Sequence, residues 1–237
     1  MNATLAIAQR ELKSYFVSPI AYVVTALFLL IAGFLFSVIL LNTNEASLRY
    51  LISNLSVIWL FITPALTMRL LAEEARTGTI ELLLTNPVRD LEVVLGKYLG
   101  ALGFVLVMIA CTLYFPALLF ALGTPDQGPI VTGYLGVILQ AAAFLAIGLM
   151  ASSLTQNQIV AAVLTFAILL IMWLSESVAN FVGRPFGDIM RYLSVTQHFQ
   201  DFSRGVIDSS HVIYFLSVIA AALFITFLSL QTRRWRA

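Results

Sequence analysis

The residues able to do chemistry are few and unevenly placed. Nine of the chain's 25 charged residues, from 13 Lys/Arg plus 12 Asp/Glu, fall between Arg69 and Lys97. That stretch reads RLLAEEARTGTIELLLTNPVRDLEVVLGK. Cys111 is the only cysteine, so an internal disulfide and a cysteine metal cluster are both excluded. It sits in an apolar run and reads as a small packing residue. The two histidines, His198 and His211, fall near the last polar loop and supply no paired ligands for haem or zinc within an apolar run, so no metal site is expected. No nucleophile–base pair lies within the apolar runs either, which argues against an intramembrane enzyme. Gly96-Lys97 lacks the upstream glycine and downstream Ser/Thr of a phosphate loop, so ATP chemistry is expected in another polypeptide. Two polar residues interrupt apolar segments, Gln140 and Glu176. Such groups are costly at membrane depth, which makes them candidates for lining a pathway. Glu176 has a second reading, a place near the outer surface.

The elements that must position these residues follow from composition. The chain has 237 residues, 60% apolar and 11% charged. Ordinary soluble domains are about 45–50% apolar and about 25% charged, so polar groups here could not cover a soluble surface. The net charge of +1 suggests no nucleic-acid partner. Six segments approach the length that crosses hydrocarbon, roughly 20–41, 50–68, 98–122, 131–153, 159–180 and 211–230. The expected fold is therefore all-α, a single transmembrane domain over 1–237. The run after Pro19 is too long for a signal-peptide core and reads as an uncleaved anchor. An even number of spans puts both termini on one side. That side gathers Arg10, Lys13, Arg69, Arg76, Arg89, Lys97, Arg233, Arg234 and Arg236. The other side holds Arg49, Arg184, Arg191 and Arg204. The excess places both termini in the cytoplasm.

Local signals refine the elements. Ser18 reads as a helix cap, with Pro19 at the first helical position, where its missing N–H costs nothing. Asp90 reads as the cap of the helix that becomes the third span. Pro64 and Pro116 should kink their spans. Gly96, Gly100 and Gly103 line one side of the third span, and Gly133, Gly136, Ala143 and Gly148 do the same in the fourth. Both stripes suit close helix approach, either within one subunit or at a dimer seam. Residues 4–17 carry Leu5, Ala8, Leu12, Tyr15 and Phe16 on one face and Gln9, Arg10, Lys13 and Ser14 on the other. The pattern predicts a helix in the headgroup plane with Arg10 and Lys13 toward anionic lipid, the alternative being a plain tail. Tyr15, Tyr22 and Trp235 fall near expected interfaces. The loop 181–210 mixes charges with aromatics and reads as an amphipathic external segment.

The charged stretch cannot sit in lipid, because each central charge costs about 2.5–3.5 kcal/mol. Leu70–Arg76 can continue the second span, Gly78 breaks it, and Thr79 can cap a short helix over Ile80–Thr85 that Asn86-Pro87 ends. Ile80, Leu83 and Leu84 give that helix an apolar face between charges, the pattern of a partner site. The alternative is a hairpin packed on its own bundle.

At these residues the chain resembles a family. E-E-x-x-x-G-T-I-E-L-L-L-x-x-P-V, followed by Gly96-Lys97, is similar to the first cytoplasmic loop of ABC-2-type transporter permeases, and residues 8–19, AQRELKSYFVSP, resemble that family's start. Within it, YLSVTQHFQDFSRGVID, residues 192–208, is similar to the gliding-motility branch, beside the permeases of nitrous-oxide-reductase maturation. The resemblance implies a coupling helix that docks on a separate ATP-binding subunit. Glu73, Glu74, Gly78, Thr79, Glu81, Leu82, Leu83 and Pro87 are its coupling candidates, the glutamates as partners for basic residues of the ATPase. It further implies two cytoplasmic ABC ATPase subunits that hold ATP and Mg, no cofactor in this chain, and a second permease copy in a homodimer. A bacterial inner-membrane location and a periplasmic or membrane accessory protein are implied as well. A channel or scaffold without ATP-driven transport is the competing reading, and it has no use for an apolar helix inside a charged loop.

Overall fold

The computed structural model describes residues 3–43, 47–79, 89–179 and 181–234. Among them the regular elements are helices: α1 (Ala3–Val17), α2 (Pro19–Thr43), α3 (Arg49–Thr67), α4 (Ala72–Thr77), α5 (Asp90–Thr112) and α6 (Tyr114–Leu122). They continue with α7 (Gln127–Ser153), α8 (Gln158–Ala179), α9 (Phe186–Leu193), α10 (Val195–Arg204) and α11 (Ser209–Arg234). Six stretches are long and apolar enough to cross a membrane, Pro19–Asn42, Arg49–Thr77, Asp90–Leu122, Gln127–Ser153, Gln158–Ala179 and Ser209–Thr232. These are the six expected segments, with the third starting at Asp90 rather than near 98.

The spans α3 and α7 are mostly buried, whereas α2, α8 and α11 turn most of their surface outward. In lipid this needs no polar face, because an apolar helix surface is already matched to its solvent. Trp59 of α3 is fully buried and meets Phe28 of α2 with ring centroids 5.1 Å apart. Phe36 stacks on Phe115 at 5.0 Å and fixes the far end of α2 against α6.

Helix approach in this bundle is set by glycine, and the glycines are used within the subunit rather than left for a dimer seam. A Cβ at Gly133 would lie 2.5 Å from Ile52 Cδ1 of α3, and one at Gly136 would lie 2.7 Å from Phe202 Cβ of α10. At Gly148 it would collide with Thr67. The stripe on α5 receives α1: a Cβ at Gly96 would sit 2.7 Å from Ile7 Cβ, and one at Gly100 would sit 2.6 Å from Glu11 Cβ and 2.9 Å from the Ala8 carbonyl oxygen. Helix α1 therefore lies along α5, with Tyr15 stacked on Phe104 at 4.8 Å. Its outward residues include Leu5, Arg10, Lys13 and Phe16.

Two side-chain placements differ from expectation. Tyr15 is not an interfacial aromatic but a buried one, 1% exposed, because its hydroxyl has an internal acceptor in the Leu66 carbonyl at 2.8 Å. Cys111 is not packed; it lies on the exposed surface of α5. Of the other interfacial candidates, Tyr22 is exposed and donates to the Phe16 carbonyl at 2.6 Å, and Trp235 lies outside the described residues.

The proline at 116 breaks the third span one turn upstream of itself. Proline clashes with the carbonyl of residue i−4 and leaves it without its helical donor. Here that carbonyl is Thr112, the last residue of α5, and the Tyr134 hydroxyl donates to it at 2.9 Å. Pro64, by contrast, is accommodated inside α3.

The glycine contacts grade the expected cost of added methyl groups. Gly100→Ala should destabilise the folded protein by about 1–3 kcal/mol through overpacking against α1. Gly103→Ala, whose Cβ would meet Leu12 Cδ1 only at 3.5 Å, should be neutral or stabilising by up to about 1 kcal/mol. Thermal unfolding in detergent micelles distinguishes them; equal effects at both positions would mean that α1 is not seated on this stripe.

Candidate functional site

The ends of α3 and α7 and the start of α5 converge with α1 where the charged stretch leaves the bundle. The second span does not run on through Leu70–Arg76 as a single helix. It stops at Thr67, turns through Met68–Leu71, and restarts as α4. The restart is possible because Ser152, near the end of α7, accepts from the backbone N–H of Leu71 and of Ala72, both at 3.0 Å. Its own hydroxyl donates to the Met68 carbonyl at 3.3 Å. One serine thus satisfies both sides of a buried backbone break.

The turn aims Arg69 at the junction of α1 and α2. Its Nη1 donates to Ser18 Oγ at 2.9 Å, and its guanidinium carbon lies 5.4 Å from the centre of the Tyr15 ring. The Ser18-Pro19 boundary falls where the sequence puts it, but the serine hydroxyl serves Arg69. Burial pushes the Tyr15 phenol up, the Glu11 carboxylate adds to this, and Arg69 opposes it. Tyr15 therefore stays protonated and keeps donating to Leu66.

Helix α5 begins with Asp90 as its first residue rather than its cap. The cap function falls to Glu92, which accepts from the Arg89 N–H at 2.9 Å, and both carboxylates favour the positive end of the helix. The next turns carry Lys97 inward, where it is 2% exposed. Its Nζ lies 2.8 Å from Glu74 Oε1 and 3.3 Å from Glu11 Oε2. One ammonium thus joins α1, α4 and α5. Removing one member of a buried ion pair costs about 3–5 kcal/mol, because the survivor stays buried and uncompensated. Beside the triad a cleft of about 350 Å³ is lined by Arg10, Glu11, Ser14, Arg69, Glu73 and Lys97, among others.

The coupling candidates are distributed as follows. Glu74 is committed to Lys97 inside the chain, and its Oε2 is buried without a hydrogen-bond partner. Glu73, Arg76, Gly78 and Thr79 are exposed, and no ion pair joins Glu73 to Arg76 among the described residues. Gly78 ends α4 at φ +73°, a left-handed conformation that costs other residues about 1–2 kcal/mol. The hydroxyl of Thr79 meets that of Thr77 at 2.9 Å. Glu81, Leu82, Leu83 and Pro87, with Ile80 and Leu84, lie outside the described residues. Arg10 and Lys13 are exposed on α1.

The pathway candidates are not brought together. Gln140 is fully buried in mid-α7 and donates from Nε2 to the Ser56 carbonyl at 3.2 Å, while its Oε1 has no partner. Glu176 is half-buried in the last turn of α8.

The opposite end of the bundle holds a cluster that chain position alone did not suggest. Ser194 caps α10 by accepting from Gln197 N at 3.3 Å. Phe199 and Phe202 are buried against the bundle, and Thr132 of α7 donates to the Phe202 carbonyl at 2.7 Å. Tyr192, on α9, is 66% exposed. His198 stacks on Tyr214 with centroids 3.8 Å apart, stands edge-on to His211 at 5.1 Å, and meets the Ser194 carbonyl through Nδ1 at 2.7 Å. His211 Nε2 is 2.7 Å from Asp201 Oδ2. Among the described residues no group of three or more His, Cys, Asp or Glu is placed to hold a metal.

Burial lowers the His198 pKa from its ordinary 6.5; the Ser194 carbonyl opposes this and His211 adds to it. A depressed base pKa means that the docked state prefers the neutral ring. Docking of α10 is therefore fully stable above pH 6.5 and weakens as pH falls below it. Hydrogen exchange over 195–204 should accelerate between about pH 7.5 and about pH 5.5 after correction for intrinsic rates, and His198→Phe should reduce that dependence. Corrected exchange that is flat with pH in the unaltered protein would refute it.

No curated protein matches the sequence. Residues 35–182, more than half of the chain, match the family model described as ABC-2 family transporter protein. That segment contains Glu74 and Lys97 but not Glu11. Taken with six apolar spans and a charged excursion between the second and third, the match identifies a multi-pass membrane permease subunit: the chain belongs to the ABC-2 family of transporter proteins.

Proposed function

We propose that this permease couples ATP hydrolysis by separate ABC ATPase subunits, two per complex, to export or to transmission of force across a bacterial inner membrane. Both termini face the cytoplasm, and two copies of the chain form the translocating unit. The ATPase holds ATP and magnesium. A periplasmic or membrane accessory protein docks at the outer end, where the 181–210 segment lies. Within the family, residues 192–208 favour the gliding-motility branch, beside the nitrous-oxide-reductase-maturation permeases. Helix α1 lies at the cytoplasmic interface, with Arg10 and Lys13 toward anionic headgroups.

One observation carries this reading. Within a family defined by transport, the chain turns out of the bundle after Thr67 and presents Glu73, Arg76, Thr77, Gly78 and Thr79 to solvent immediately before the apolar sequence Ile80–Leu84. Exposed charges leading into an apolar segment fit a protein partner better than a lipid or a solvent surface. The proposed coupling contact takes in Glu81, Leu82, Leu83 and Pro87, which lie outside the described residues.

Affinity capture of the detergent-extracted protein should recover an ATPase carrying a phosphate loop. Leu82→Asp should remove it while leaving yield and thermal stability of the permease unchanged. Position 82 separates binding from folding better than 74 does, because Glu74 is held by Lys97. Capture that yields no ATPase, or that survives Leu82→Asp undiminished, would favour the scaffold reading instead.

A further inference from the structure

The charged excursion leaves the bundle through α4 and re-enters it through α5. Glu74 stands on the outgoing limb and Lys97 on the returning one, and their 2.8 Å contact ties the two limbs together at the root of the excursion. Glu11 adds a third limb from α1 through the same ammonium at 3.3 Å. The helix is interrupted between α4 and its own span: Met68–Leu71 is a turn in which the Met68 N–H donates to Pro64 and the Leu70 N–H to Thr67, while Ser152 serves Leu71, Ala72 and Met68. Helix α1 is pressed on α5 by backbone approach at Gly96 and Gly100, where the Thr4 and Ala8 carbonyls come within 3.0 and 2.9 Å of a hypothetical Cβ. A push delivered to α4 therefore meets an interrupted helix toward α3 and an ion-paired, glycine-packed contact toward α5 and α1.

We infer that Lys97 is a positioning residue that makes α1, α4 and α5 one mechanical unit, so that displacement of the 80–88 segment is delivered to the N-terminal helix and the third span together. This rests on the proposed coupling to an ATPase. The lysine suits the task by stoichiometry. Its ammonium has three donors, two of which meet carboxylates, and the triad as a whole carries one net negative charge. Without the ammonium, two carboxylates on different helices would face each other across the same partly buried space and repel. The clamp is thus a charge device: it holds while the cation is present and pushes apart when it is not. Helix α1 then serves as part of the transmission as well as a support.

The test uses the permease with its captured ATPase, reconstituted in liposomes. Lys97→Met should leave the ATPase bound but cut permease-stimulated ATP turnover about tenfold, within the ordinary range of coupling between sites. It should also raise hydrogen exchange over 3–17 and 72–79 without raising it over 133–148. Lys97→Arg, which keeps charge and reach, should restore turnover to near the unaltered level. The exchange Lys97→Glu with Glu74→Lys should recover more turnover than either single change. Should Lys97→Met fail to assemble, Glu11→Gln carries the expectation for α1, since it leaves Lys97 paired with Glu74. Undiminished turnover in Lys97→Met or in Glu11→Gln, or failure of Lys97→Arg to restore it, overturns the clamp. If the unaltered permease binds no ATPase, the coupling proposal itself fails, which is a different result.

Discussion

In hydrocarbon a backbone amide has no water to turn to, so every interruption of a helix must find its partner inside the protein. That constraint explains where this bundle can bend. The break at Thr67 exists because Ser152 of a neighbouring helix serves two N–H groups and one carbonyl. The break before α6 exists because Tyr134 reaches the carbonyl that Pro116 displaces. Serine, tyrosine and proline matter here less for their own helix than for a neighbour's backbone. The central position of α7 follows, since it supplies Ser152 to the α3–α4 break and Tyr134 to the α5–α6 break, and its glycines let α3 and α10 pack closely against it.

The same scarcity of water governs the charges. Lys97 is tolerated at 2% exposure because two carboxylates from separate helices converge on it. Arg69 is tolerated because Ser18 and the Tyr15 ring receive it. These two cations stand within the family-matched region, whereas Ser18, Tyr15 and Glu11 come from the preceding segment. The N-terminal segment thus adds a second carboxylate to Lys97, beside Glu74, and supplies the Tyr15 and Ser18 contacts of Arg69. The fit of that segment is geometric as well as ionic, because the glycines of α5 lower the helix surface where α1 rests.

The spans were legible because length and apolarity are enough to define them, and Ser18-Pro19 marked the start of the first one directly. The coarse fold and the family were available from the order of charges and from the motif around Gly78. What escaped was contact between distant segments. Glu11 falls on the same α1 face as Ile7, Ala8 and Tyr15, and a stripe of small residues beside Lys97 was visible, yet nothing in a single sequence says that those two surfaces meet. The turn after Thr67 is unmarked by glycine or proline because its cap is supplied from residue 152. Tyr15 looked like an interfacial aromatic because its acceptor is a backbone carbonyl 51 positions away. The pairing of His198 with His211 was hidden for the same reason: residues 13 apart in an irregular segment become ring neighbours only once α10 and α11 dock.

Cys111, exposed on α5 just before the helix breaks at Leu113, gives the chain a built-in attachment point for a spectroscopic probe. A spin label or fluorophore attached to the single thiol needs no cysteine-free background. At that place it reports the polarity beside the break and, in the proposed homodimer, a symmetric distance. Changes in either during ATP turnover would record the motion of the third span in an otherwise unaltered protein.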